Sequence, residues 1–161
     1  MSSGASPSPE SRQSLSRARH FLERAAKYPA SERVDFEADV EAAIVFSRAA
    51  IHRFQRKHKG HPGFKAWWAS IESDPAVQFL RDERNQILKE GPTRIGQQVW
   101  ISGNAASTSG AAPENPRAYQ PQLASEFYSY EDVSIPATAT VERHLSALEV
   151  LLENAEKQVF T

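Results

Sequence analysis

Apolar side chains recur along this chain at three- and four-residue steps, in runs interrupted by proline and glycine, a spacing that puts them on one face of successive α-helices. Between Ser11 and Tyr28, Leu15, Ala18, Leu22 and Ala25 keep the period with Arg and Glu between them, and Pro29 follows the end. A first helix is predicted there. Ser31, followed by Glu32, reads as the N-cap of a second helix in which Phe36, Val40, Ala43, Ile44, Ser47, Ile51 and Phe54 hold the same period as far as Gly60. At about 1.5 Å per residue this helix is roughly 40 Å long. His61-Pro62-Gly63 breaks the chain, and Phe64 to Ser73 makes a short aromatic helix holding Trp67 and Trp68. Asp74 as N-cap and Pro75 at the first helical position then start a helix that stops at Gly91-Pro92. Its apolar stripe is Val77, Leu80, Ile87 and Leu88, with Arg84 in the middle of it.

Between Thr93 and Pro136 the pattern changes to two short alternating runs, Gln97 to Ser102 and Phe127 to Val133, separated by Gly, Ser, Ala, Asn and Pro. They predict a two-stranded hairpin with a long surface loop over Gly103 to Ala118. The final pattern is the most regular. Val141, Leu145, Leu148, Leu152, Ala155 and Val159 alternate steps of four and three, a seam suited to antiparallel bundle packing. The expected architecture is all-α, a bundle of four to five helices with a small two-stranded β insertion before the last helix, at 93–136.

Length and charge narrow the reading. A chain of 161 residues, 40% hydrophobic and 24% charged, fits one globular domain over 11–161 with a sizeable core. Its 19 basic and 20 acidic residues leave almost no net charge, so any nucleic-acid site has to be local. Without cysteine there is no disulfide framework, thiolate metal site or thiol nucleophile. Residues Met1 to Glu10 are Ser, Gly, Pro and Ala with no apolar run, and are expected to be a disordered tail rather than a signal peptide or anchor. No stretch is apolar enough to span a membrane, and a cytoplasmic protein with no cofactor is expected.

The stretch Arg84-Asn85-Gln86-Ile87-Leu88-Lys89, followed by Glu90-Gly91-Pro92, resembles the motif of the HEPN superfamily of helical-bundle proteins. That family carries an arginine, usually followed by a polar residue such as asparagine, and a histidine four to six residues further on near a helix end. Arg84 and Asn85 match, and Lys89 stands at the histidine position. The order of long helices, motif helix and closing helix is also similar, from Ser11 to Val159. The resemblance implies a metal-independent ribonuclease built at a homodimer interface where two motifs face each other. In it the arginine holds the scissile phosphate, the asparagine orients, and the histidine moves protons. Arg84 offers a fork of donors and Asn85 both a donor and an acceptor. Lysine differs from histidine in kind, because bringing it from about 10.4 to near neutrality costs roughly 4 kcal/mol of desolvation or like-charge repulsion. Lys89 is therefore expected to stay an ammonium that binds phosphate, with cleavage reduced or lost. His144, one residue off the last helix's seam, is a second candidate to move the proton. The packing alternative pairs Arg84 with Asp39, Glu41 or Asp82 and leaves Lys89 complementing the helix dipole.

A second candidate is basic. No acid occurs between Ala42 and Ile71, where Arg48, Arg53, Arg56, Lys57, Lys59 and Lys65 accumulate with His52, His58 and His61, ahead of Trp67-Trp68. Cations with nearby aromatics can track a phosphate backbone, so Arg53, Arg56, Lys57, Lys59 and Lys65 are candidate RNA contacts. The same cations also suit a helix C-terminus, and the tryptophans suit a core. His58 and His61 straddle Gly60 out of helical register, which argues against a metal site.

Taken together the sequence predicts a homodimeric HEPN-like protein that binds RNA or a nucleotide-containing partner, in a defence or toxin-antitoxin setting. The alternative is a non-catalytic dimerisation module facing an antitoxin-like protein partner. A small-molecule enzyme is disfavoured, since no convergent polar residues are visible for a bundle-core site.

Overall fold

The computed structural model describes residues 9–29, 31–91, 94–102, 122–130, 132 and 134–160, with backbone alone for 97–102 and 122–127. The predicted loop over Gly103 to Ala118, and Val133 at the end of the second predicted strand, lie outside the described residues. Five helices and one hairpin follow in order: α1 Pro9–Ala25, α2 Arg33–His58, α3 Phe64–Ile71, α4 Pro75–Lys89, β1 Gly96–Ser102, β2 Gln122–Ser129 and α5 Ala137–Gln158. The chain is an all-α bundle with a small β insertion before its last helix, and no helix is long and apolar enough to cross a membrane among the described residues.

Several boundaries differ from the sequence pattern. Helix α1 starts at Pro9, so two residues assigned to the tail are helical; proline pre-set at the first position and Glu10 in the first turn both favour that start. Helix α2 starts at Arg33 with Glu32 at the N-cap and no side-chain cap, so Ser31 does not take that role. Strand β2 starts at Gln122 and ends at Ser129, earlier than the predicted Phe127 to Val133 run. The strands pair antiparallel with Gly96 opposite Ser129, and the register shifts between Trp100 and Ile101. Beyond Ser129 a turn takes over, in which Asp132 Oδ1 accepts from the Ser134 amide at 3.0 Å and from its hydroxyl at 2.6 Å.

The core is contiguous. Leu15, Ala18 and Leu22 of α1 meet Val40, Ala43, Ile44 and Ala50 of α2, and small residues let these two helices approach closely: Ser11 Oγ donates to the Ala50 carbonyl at 3.3 Å. The regular seam of α5 is buried as the spacing predicts, with Val141, Leu145, Leu148, Leu152 and Ala155 all inside. Outside that seam Arg19 of α1 bonds Glu142, Ser146 and Glu149 of α5. At one end Phe54 and Phe160, themselves packed on Trp67, pack against His58, whose Nε2 lies 3.0 Å from the buried Glu156 Oε1. At the other, Tyr128 of the hairpin base packs on Phe36 at 4.7 Å between centroids.

Helix α4 is delimited as predicted. Asp74 Oδ1 accepts from the Ala76 amide at 2.8 Å, Pro75 occupies the first turn, and Gly91 leaves the helix at φ +117°, a conformation that only glycine adopts freely. Two substitutions measure these contributions by urea unfolding. Leu145→Ala, at a fully buried seam position, is expected to cost about 2–5 kcal/mol, and Asp74→Ala, which removes the cap, about 1 kcal/mol.

Candidate anion-binding face and a polar cavity on either side of α4

Because a helix advances about 100° per residue, the inward phase of α4 decides which neighbour each of its charged residues meets. That phase is set by Ala76, Val77, Leu80 and Glu83, all buried, while Leu88 is 57% exposed and Arg84 only half-buried. The expected stripe is therefore off by one residue in its second half. Glu83, not Arg84, is the charge in the core-facing row. Arg81 and Arg84 fall to the flank facing α2, and Phe79 and Glu83 to the flank facing α5.

On the α2 flank, Arg48 is half-buried and its Nη1 has no hydrogen-bond partner among the described residues. Burial lowers the pKa of this guanidinium below its ordinary value, and the positive charges of Arg81 and Arg84 lower it further. His52, one helical turn on, is held below the usual histidine range by burial, then by Arg48 and Arg84, against an opposing hydrogen bond with Gln55. Arg84 donates from Nη1 to Asn85 Oδ1 at 3.3 Å, and Arg81 pairs with Asp82 at 2.9 Å. Of the carboxylates that the packing alternative assigned to Arg84, Asp39 lies 3.0 Å from Arg24 and Asp82 is on Arg81. This face thus gathers guanidinium donors and an imidazole whose mutual repulsion an anion would relieve.

Lys89 does not join them. It is exposed in the last turn of α4, five residues and so about 140° around the helix from Arg84. The basic run of α2 is also largely committed within the chain. Arg53 donates to the Glu10 carbonyl at 3.2 Å and to Ser14 Oγ at 2.8 Å, fixing the start of α1. Arg56 lies 3.9 Å from Glu10, and Lys57 lies 3.2 Å from Glu156. Lys59 and Lys65 are exposed. Trp67 is a core residue and Trp68 packs against the core. Sequence spacing put Arg48 and His52 in the same basic run, but only the crossing of α2 by α4 separates them from the others.

On the α5 flank lies a cavity of about 360 Å³ lined by Phe79, Glu83, Arg94, Tyr130, Arg143 and His144, among others. Arg94 donates to Glu83 Oε1 at 2.5 Å, while Glu83 Oε2 and the Tyr130 hydroxyl are buried with no hydrogen-bond partner among the described residues. Burial, reinforced by the charge of Glu83, pushes the Tyr130 phenol far above its ordinary pKa, so it stays protonated. His144 stacks on Phe79 at 4.1 Å and is lowered by burial and by Arg143, with Asp74 acting in the opposite sense. It sits on the other flank from Arg84. The sequence reading found no convergent polar groups for a small-molecule site; they converge here because Glu83 is a buried member of the core-facing row and Tyr130 arrives from beyond the hairpin. A glutamate at a core phase of α4 was the available signal. Among the described residues no group of three or more acidic or histidine side chains is placed to hold a metal ion.

Both perturbed histidines have folded-state pKa values below the unfolded reference of about 6.5. Their contribution to stability is full above that reference and is lost as pH falls from it towards the folded values, because the unfolded chain then binds more protons. Proton-detected titration of the ring resonances should give midpoints for His52 and His144 below that of a model histidine. Inorganic phosphate should move the His52 midpoint upward and leave that of His144 in place.

Comparison with known proteins offers no independent reading of either flank: no family model matches this chain, and neither a curated protein nor a solved structure is similar to it.

Proposed function

We propose that the chain is an RNA- or nucleotide-binding helical protein of HEPN type, in which the α2–α4 face receives phosphate and metal-independent ribonuclease activity is reduced or lost. The observation that carries the reading is the half-buried Arg48 guanidinium, unpartnered at Nη1 and within the electrostatic reach of Arg81 and Arg84. A buried donor without an acceptor is costly in the free protein, and a phosphate oxygen supplies both the acceptor and the opposite charge. Arg84 keeps its role from the motif, Asn85 holds it through the contact at 3.3 Å, and Arg48 joins it from α2. The lysine at position 89 supports weakened cleavage, since the position that moves protons in the family is here not a histidine.

The same face supports a homodimer. Val45, 37% exposed, lies one turn before Arg48 on α2, and Leu88, 57% exposed, one turn after Arg84 on α4. Apolar surface bordering the arginines suits a second copy that brings two motifs together. A protein partner, such as an acidic antitoxin-like chain in a defence or toxin-antitoxin pair, could cover the same surface, and this is the second reading.

Binding of a mixed-sequence single-stranded RNA, followed by fluorescence anisotropy across a salt series, separates the two. Affinity should fall steeply with salt, and Arg84→Ala should weaken it for all sequences and reduce the log-log salt slope by about one, with Tm unchanged. Arg48→Met should weaken RNA binding while holding or raising Tm, because it removes a buried unpaired cation. Cleavage in EDTA is expected to be weak or absent. A lowered Tm for Arg84→Ala with RNA affinity unaltered would assign the arginine to packing and leave the protein-partner reading standing.

A further inference from the structure

The cavity on the α5 flank of α4 has the features of a binding site that the phosphate-binding reading does not use. Its polar floor is unusually committed. The Glu83 side chain is 3% exposed, one carboxylate oxygen is held by Arg94, and the other is buried without a partner among the described residues. The Tyr130 hydroxyl is likewise buried and unpartnered among the described residues, and the side chain lines the same cavity. Two such atoms left unpaired in one small space are costly, and the cost is recovered when a ligand satisfies both.

Their chemistry specifies what that ligand presents. An ionised carboxylate only accepts hydrogen bonds, so Glu83 Oε2 calls for an N–H or O–H. A phenol that burial keeps protonated has a proton to donate, so Tyr130 calls for an acceptor. The complement is an N–H next to a C=O, the lactam edge of a heterocycle. The remaining walls agree with a flat ring. Phe79 stacks on His144 at 4.1 Å and meets Tyr130 edge-on at 5.4 Å, giving an aromatic surface beside the polar pair. A volume of about 360 Å³ lies near the lower end of ligand pockets and suits a single base or nucleoside rather than an oligonucleotide.

We infer that this cavity binds a small heterocycle by its lactam edge, of the kind that uracil and hypoxanthine carry, with Glu83 accepting from the ring N–H and Tyr130 donating to the adjacent C=O. The ring lies against the Phe79–His144 wall, and Arg143 lines the cavity together with Asp132, on whose carboxylate its charge acts. The inference does not depend on RNA binding at the α2–α4 face, because no residue of that face lines this cavity.

The test uses the full chain with uridine and inosine as probes, titrated by calorimetry and by the His144 ring resonances. Both nucleosides should bind saturably with a shift of His144, whereas 3-methyluridine and 1-methylinosine, which lack the ring N–H, should bind at least about tenfold more weakly. Tyr130→Phe should lose about tenfold in affinity while keeping or raising Tm, since it deletes a hydroxyl with no partner in the free protein. Glu83→Gln should lose more, and a Tm measurement shows whether its fold is intact; Tyr130→Phe carries the test if it is not. No binding of either nucleoside at millimolar concentration, or equal binding of the methylated analogues, would overturn the assignment. So would a lowered Tm for Tyr130→Phe with uridine affinity unaltered, because the phenol would then be part of the packing.

Discussion

The wedging of α4 between α2 and α5 is the constraint from which the chemistry of this protein follows. Ala76, Val77, Leu80 and Glu83 all point into the bundle, and once they do, the helical rotation leaves no freedom for the residues between them. Arg81 and Arg84 must face α2, where Arg48 and His52 already stand, and Phe79 must face α5, where it meets His144. A shift of one residue in the phase of α4 would exchange these neighbours and dissolve both arrangements. The closing helix contributes to this by its seam: Val141, Leu145 and Leu148 supply the apolar wall against which the inner row of α4 rests.

Glu83 is the expensive member of that row. A carboxylate at 3% exposure loses most of its hydration, and a single contact at 2.5 Å with Arg94, itself 57% exposed, compensates only one of its oxygens. The other two buried acids bracket it. Glu156, at 4% side-chain exposure, meets both His58 and Lys57. Asp39, at 7%, lies against Arg24, and its Oδ2, like Glu83 Oε2, has no hydrogen-bond partner among the described residues. What sets Glu83 apart is its place: it lines the same cavity as Tyr130, which is incomplete in the complementary sense.

Much of the fold was legible in the sequence because apolar spacing reports burial directly. The α5 seam is buried through Ala155, and the start of α4 at Asp74-Pro75 and its exit at Gly91 are built as the residues suggest. Legibility ended where two phases of a helix were equally apolar. Val77, Leu80, Arg84, Ile87 and Leu88 make one acceptable row, and Ala76, Leu80, Glu83 and Ile87 another; only the positions of α2 and α5 choose between them. The first row carries Arg84 beside the apolar face and leaves Glu83 off it. The partners of the basic run were hidden for a different reason. Arg53, Arg56 and Lys57 look like a free cationic stripe until the N-terminus of α1 and the end of α5 arrive with Glu10, Ser14 and Glu156. Long-range partners of exposed cations leave no trace in local spacing.

The case for a binding role of the α2–α4 face rests finally on how the same molecule treats its other arginines. Several arginines of this chain are met by a carboxylate, Arg19 by Glu142 and Glu149, Arg24 by Asp39, Arg33 by Glu37 and Arg94 by Glu83, while Arg53 ties α2 to the start of α1 through the Glu10 carbonyl and Ser14 Oγ. Such pairing is the ordinary solution, since attraction and hydrogen bonding offset the loss of hydration. Arg48 and Arg84 depart from it. They meet across a helix crossing with no carboxylate pairing to either among the described residues, and burial together with neighbouring positive charge makes the Arg48 cation less favourable than it is in water. Together they concentrate positive potential and the unpartnered Arg48 Nη1 in one place, which is the preorganisation that an anion site requires.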